Sequence, residues 1–145
     1  MISCTEFIPA YSELFKCIEG LAGREGVAEY WASLSDTYVK GRLGKLAGEK
    51  GIMGCWEYWE KALNEEAADF TMEVDDEAGV FRIDMRYCPS KGRLLKTKHI
   101  EPYHDYCGHC DPLYRLVLEP LGFGYSCDMT QTDKAACTLE VTKAP

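Results

Sequence analysis

The chain has 145 residues, 46% hydrophobic and 12% aromatic, which excludes a disordered protein and points to a single domain over 1–145. Lysine and arginine number 16 against 24 aspartates and glutamates, and a net charge of −8 argues against a nucleic-acid partner, whose binders present a basic face. No apolar run reaches the roughly 18 residues of a membrane span, and Met1-Ile2-Ser3-Cys4 opens without the basic and apolar regions of an export signal, so a cytoplasmic location is expected.

The first third reads as helical. Phe7, Tyr11, Leu14, Phe15, Ile18 and Leu21 recur at helical spacing, and Gly20 and Gly23 flank the stop. Val27, Tyr30, Trp31, Leu34 and Tyr38 form a second stripe. It runs into Gly41, Gly44, Gly48, Gly51 and Gly54, which read as a flexible connection; the spacing is not that of a phosphate-cradling loop. A third helix carries Trp56, Trp59 and Leu63 on one side, with Glu57, Glu60 and Lys61 toward water.

At Phe70 the period drops to two. Phe70, Met72 and Val74 alternate with polar residues, Asp76–Gly79 turns the chain, and Phe81, Ile83, Met85 and Tyr87 alternate again: a hairpin with one buried face. The acidic stretch Glu65–Glu77 and the basic stretch Lys91–Lys98 read as solvated patches. A short helix follows, with Leu113, Leu116 and Val117 on one side, Pro112 in its first turn and Pro120 at its end. Residues 122–129 read as a strand, and Ala136–Thr142 as its hairpin partner. The fold expected is α+β, with three N-terminal helices on a mostly antiparallel four-stranded sheet in the order helix-helix-helix-hairpin-helix-hairpin.

Eight cysteines in a chain without an export signal are expected to be reduced. Cys4, Cys17 and Cys55 fall in helical stretches and read as small buried apolar side chains. Cys88, Cys107, Cys110, Cys127 and Cys137 all fall in the C-terminal half. All three histidines, His99, His104 and His109, lie within eleven residues of one another, interleaved with two of these cysteines in His104-Asp105-Tyr106-Cys107-Gly108-His109-Cys110-Asp111. Thiolate and imidazole ligate transition metals, and they also serve as nucleophile and base.

Three chemistries compete for this segment. A structural zinc ribbon would use Cys107, Cys110 and Cys127, but Thr130 breaks its second ligand pair; a mixed site with His104 or His109 stays open. Thiol redox is suggested by Cys107-Gly108-His109-Cys110, which resembles the active-site tetrad of protein disulfide isomerases. The polar, proline-containing segment before it is not the apolar strand such a motif requires. Hydrolysis would use a cysteine nucleophile or a metal-bound water, with imidazole as base. Asp111 would orient the base or cap the following helix.

Cys107-Gly108-His109-Cys110-Asp111, the helix Leu113–Glu119, the Leu121-Gly122-Phe123 turn and Asp133-Lys134-Ala135-Ala136-Cys137-Thr138-Leu139-Glu140-Val141 together resemble the L-2-amino-thiazoline-4-carboxylic acid hydrolase family. The resemblance covers roughly the last forty residues well and the helical N-terminus in outline. It implies ring-opening hydrolysis of a cyclic isothiourea acid to a carbamoyl-cysteine, with Cys107 or Cys110, Asp111 and Cys137 as inherited site residues.

The reading is thus a small-molecule hydrolase with catalytic residues Cys107, Cys110, His104, His109 and Asp111. A divalent metal such as Zn or Mn would be held among Cys107, Cys110, His104, His109 and Cys137. A non-catalytic metal- or small-ligand-binding module, or a thiol-redox protein, are the alternatives. The partner expected is a small molecule, with no nucleic acid and no membrane; a homodimer is left open.

Overall fold

The computed structural model describes residues 4–143, with side chains from residue 6. Helix α1 (Cys4–Leu34) is broken at Gly23, whose φ of 69° is a left-handed conformation open to glycine at little cost. Its packed face carries Tyr11, Phe15 and Ile18, with Phe15 fully buried, while Phe7, Leu14 and Leu21 lie outside that face and are exposed. Cys17 is exposed too, contrary to its expected burial, whereas Cys55 is buried as expected; the Cys4 side chain lies outside the described residues.

The glycine-punctuated stretch is no flexible connection. A π-helical segment (Ser35–Gly44), α2 (Lys45–Lys50) and α3 (Ile52–Glu65) follow almost without interruption, with Gly51 at φ 63° turning the chain between the last two. The glycines serve close packing: a Cβ on Gly54 would overlap the Leu46 carbonyl, and one on Gly44 would sit 3.2 Å from Val117.

Strands β1 (Asp69–Asp75) and β2 (Val80–Tyr87) form the expected hairpin, closed by Gly79 at φ 66° and by the Asp75 carboxylate accepting the Ala78 N–H at 2.9 Å. Helix α4 (Pro89–Lys96) occupies the basic stretch read as a mere patch; Pro89 in its first turn, where a missing N–H costs nothing, was the available signal. A 3-10 turn (Tyr106–His109) leads into α5 (Cys110–Leu118), followed by β3 (Phe123–Asp128) and β4 (Cys137–Lys143). The sheet is antiparallel throughout, in the order β1-β2-β4-β3, so the second hairpin joins the first through β4. The α+β architecture is therefore as the sequence reading expected.

One core lies between the sheet face of Phe81, Ile83, Leu139, Val141 and Tyr125 and the helical residues Val39, Leu43, Cys55, Trp59 and Leu118. A second joins α1 to α4 and the 3-10 turn through Phe15, Val27, Trp31, Leu94, Tyr103 and Tyr106. Ser12, fully buried on α1, accepts the Tyr103 N–H at 2.7 Å and so pins the segment entering the 3-10 turn. Ser12→Ala is expected to cost about 2 kcal/mol, because the Tyr103 N–H would be left buried without a partner. Chemical denaturation of the variant measures this. Among the described residues no helix is long and apolar enough to cross a membrane.

Candidate functional site

The segment 103–111 is held from three sides. The Tyr103 hydroxyl donates to Glu19 on α1 at 3.0 Å, and the Tyr106 hydroxyl lies 2.7 Å from Ser90 Oγ on α4. Gly108 lies over the Asp105 carboxylate, whose Oδ1 would be 2.5 Å from any Cβ at that position. The sequence Cys-Gly-His-Cys therefore owes its glycine to a close approach. The 3-10 turn carries half-buried Cys107 and sets His109 among aromatic rings, and Cys110 opens α5.

His109 is enclosed by rings. Tyr106, Tyr11, Phe15 and Trp31 stand at centroid distances of 5.0, 5.6, 5.7 and 6.4 Å. Its Nδ1 bonds to the Tyr106 carbonyl oxygen. A carbonyl only accepts, so Nδ1 carries the hydrogen and Nε2 keeps its lone pair. That lone pair faces Cys110 Sγ at 3.7 Å, a thiol donating weakly to an imidazole. Burial lowers the His109 pKa below the ordinary histidine value and raises that of Cys110 well above the ordinary thiol, so the resting pair is neutral. Burial likewise pushes the Cys107 thiol up to about 11, with Lys91 pulling the other way.

The remaining expected residues do not converge there. Nε2 of His104 lies 3.2 Å from Glu19 Oε1 on the exposed side of α1, too far engaged there to act with Cys110. His99 is exposed. Asp111 neither caps α5 nor orients His109. Helix α5 starts one residue earlier, at Cys110, and both Asp111 oxygens receive Arg115, at 2.9 Å from Nε and 2.5 Å from Nη2. The same guanidinium donates to the Tyr125 carbonyl at 2.9 Å, so the ion pair fixes α5 to β3.

The metal set of Cys107, Cys110, His104, His109 and Cys137 also fails to assemble. Among the described residues no three histidine, cysteine, aspartate or glutamate side chains are grouped so as to hold a metal ion. His104 is drawn away to Glu19, and the Nδ1 of His109 is committed to a backbone carbonyl.

The five C-terminal thiols lie near enough to influence one another's ionisation, though no three of them are grouped closely enough to hold a metal ion. Cys88 stands at the start of α4, Cys107 in the 3-10 turn, Cys110 at the start of α5, Cys127 on β3 and Cys137 on β4, all free and all half-buried. Ionising Cys88, Cys107 or Cys127 would disfavour ionising Cys110, and Cys137 feels Cys127, Cys110 and Cys88. Spacing within one segment could not show that Cys88 and Cys127 belong here, because the sheet supplies the proximity. The ring cage was also missed, although Tyr11, Phe15 and Trp31 already stood out as core aromatics.

A cavity of about 280 Å³ is lined by Trp31, Tyr103, Arg24 and Asp105 among others. The buried indole N–H of Trp31 has no hydrogen-bond partner among the described residues. A second cavity, of about 440 Å³, lies between the π-helical segment and α5. Cys107, His109 and Cys110 line neither. No family model, curated protein or solved structure matches the chain.

Proposed function

We propose that this protein is a small-molecule hydrolase in which Cys110 is the nucleophile and His109 its base, acting on a cyclic isothiourea acid of the 2-aminothiazoline-4-carboxylate type. The observation that carries the reading is the Cys110 Sγ to His109 Nε2 contact at 3.7 Å, with the imidazole tautomer set by the Tyr106 carbonyl. A nucleophile, a base within reach and a third group orienting that base form the arrangement covalent catalysis requires. The resemblance of residues 107–141 to thiazoline-carboxylate hydrolases supplies the substrate class.

The chemistry balances with water alone. As Sγ attacks the ring carbon between nitrogen and sulfur, its proton passes to Nε2. The ring carbon–sulfur bond then breaks, and the departing sulfur takes that proton to become a thiol. Water attacks the resulting isothiourea carbon, giving one proton to Nε2 and the other to the former ring nitrogen. Cys110 leaves as thiolate and is reprotonated, and a carbamoyl amine with a free thiol is released. Asp111 and Arg115 act on the position of α5, and Cys107 on the polarity around the nucleophile.

The test is turnover of 2-aminothiazoline-4-carboxylate, followed by NMR of the carbamoyl product. Wild type is expected to turn over and Cys110→Ala to be inactive while keeping the native circular dichroism spectrum. A folded Cys110→Ala at wild-type rate overturns the assignment. Saturable binding of the substrate by wild type with no product favours the non-catalytic binding reading instead.

A further inference from the structure

Beyond any hydrolytic role, the sheet carries a second constellation of sulfur atoms. Cys127 pairs across β3 and β4 with Leu139, and Cys137 lies two residues before Leu139, so both thiols project from one face as diagonal neighbours. Directly across from Cys137 on β2 stands Met85, whose thioether shares that face. Met85 and Cys127 both pack against the main core while remaining partly accessible. From these positions we infer that Cys127 and Cys137, with Met85 beside them, form a binding site for a soft monovalent metal ion, Cu(I).

Three arguments favour this occupant. Thiolate and thioether ligands select Cu(I), zinc or iron–sulfur clusters. Zinc and cluster sites need about four ligands, and the described residues assemble no group of three among histidine, cysteine and acidic side chains. Two thiolates suffice for Cu(I), which is stable in linear coordination. Diagonal strand neighbours are roughly 7–8 Å apart at Cα, beyond the about 4.4–6.8 Å that a disulfide spans, whereas an interposed ion lengthens the sulfur–sulfur bridge. Binding releases two protons to solvent as two thiols become a bis-thiolate around one Cu(I).

The experiment is anaerobic titration of the reduced full-length chain with Cu(I) in competition with a chromogenic Cu(I) chelator. One tightly held Cu(I) per chain is expected. Affinity should fall in Cys127→Val or Cys137→Val by more than the about 100-fold that loss of even an outer-shell partner can cost. Met85→Leu, a volume-conserving change, should weaken uptake less, and Cys17→Ser should leave it in place. If Cys137→Val fails to fold, Cys127→Val and Met85→Leu still decide the matter. Absence of Cu(I) uptake by folded wild type overturns the proposal. So does unchanged affinity in Cys127→Val, or a Cys127–Cys137 disulfide formed by glutathione disulfide in a protein that takes up no Cu(I).

Discussion

His109→Gln is expected to lower kcat/KM for the thiazoline acid by about 10²–10⁴-fold, the range a positioned general base supplies, with the fold intact. Gln retains a hydrogen-bonding side chain of similar reach among Tyr11, Phe15, Trp31 and Tyr106, but it cannot take the Cys110 proton. The pH profile separates this role from a packing role. Burial lowers the His109 pKa, so its neutral, proton-accepting form persists below the ordinary histidine value near 6.5. The acid limb of kcat/KM should therefore fall at a lower pH than an exposed histidine would give. In His109→Gln that limb should vanish along with most of the rate. A variant that keeps both rate and limb would remove His109 from the chemistry.

The same lowered pKa has a consequence for stability. Between the folded and unfolded values the unfolded chain binds a proton that the native chain does not, so stability rises with pH there. The contribution of His109 is complete above the unfolded value and is lost as pH falls below it. Denaturation midpoints should drop on acidification more steeply in wild type than in His109→Gln.

How much of this was legible in the sequence divides along a physical line. Both hairpins were readable because Phe70–Val74, Phe81–Tyr87 and Cys137–Val141 alternate apolar and polar residues, although on the edge strand β1 Phe70 and Met72 are only partly buried and Val74 is exposed. The pairing of β2 with β4, which gathers Cys88, Cys127 and Cys137 beside the 3-10 turn, is non-local and left no mark on spacing. Within the turn, the composition of residues 104–111 announced a site, but partner choice was decided elsewhere. His104 is taken by Glu19, 85 residues away in sequence, and Asp111 by Arg115 one helical turn ahead. The i,i+4 spacing of Asp111 and Arg115 was readable as a helix-surface pair and outweighed the capping role.

The glycines of residues 41–54 show the opposite failure, and Gly54→Ala tests its cause. Helix propensity alone favours alanine over glycine by about 1 kcal/mol in a helix interior. At Gly54 that gain cannot be realised. An added Cβ would overlap the Leu46 carbonyl and crowd the Ala47 nitrogen, both backbone atoms of α2 that no rotamer change can move. Helix α3 would have to lift from α2, loosening the core in which Ala47, Ile52 and Cys55 are buried. Gly54→Ala is thus expected to destabilise by about 3 kcal/mol, the upper part of the over-packing range. That corresponds to a Tm lower by roughly 6–12 °C for a chain of this size. Gly48→Ala is the internal comparison: the residue lies exposed on α2, and a Cβ there meets nothing within 4 Å. It should raise stability by about 0.5–1 kcal/mol through propensity alone. Calorimetry of the two variants separates the explanations. If both shift Tm upward, the stretch is the flexible connection its composition suggests; opposite signs establish that glycine is there to let two helices touch.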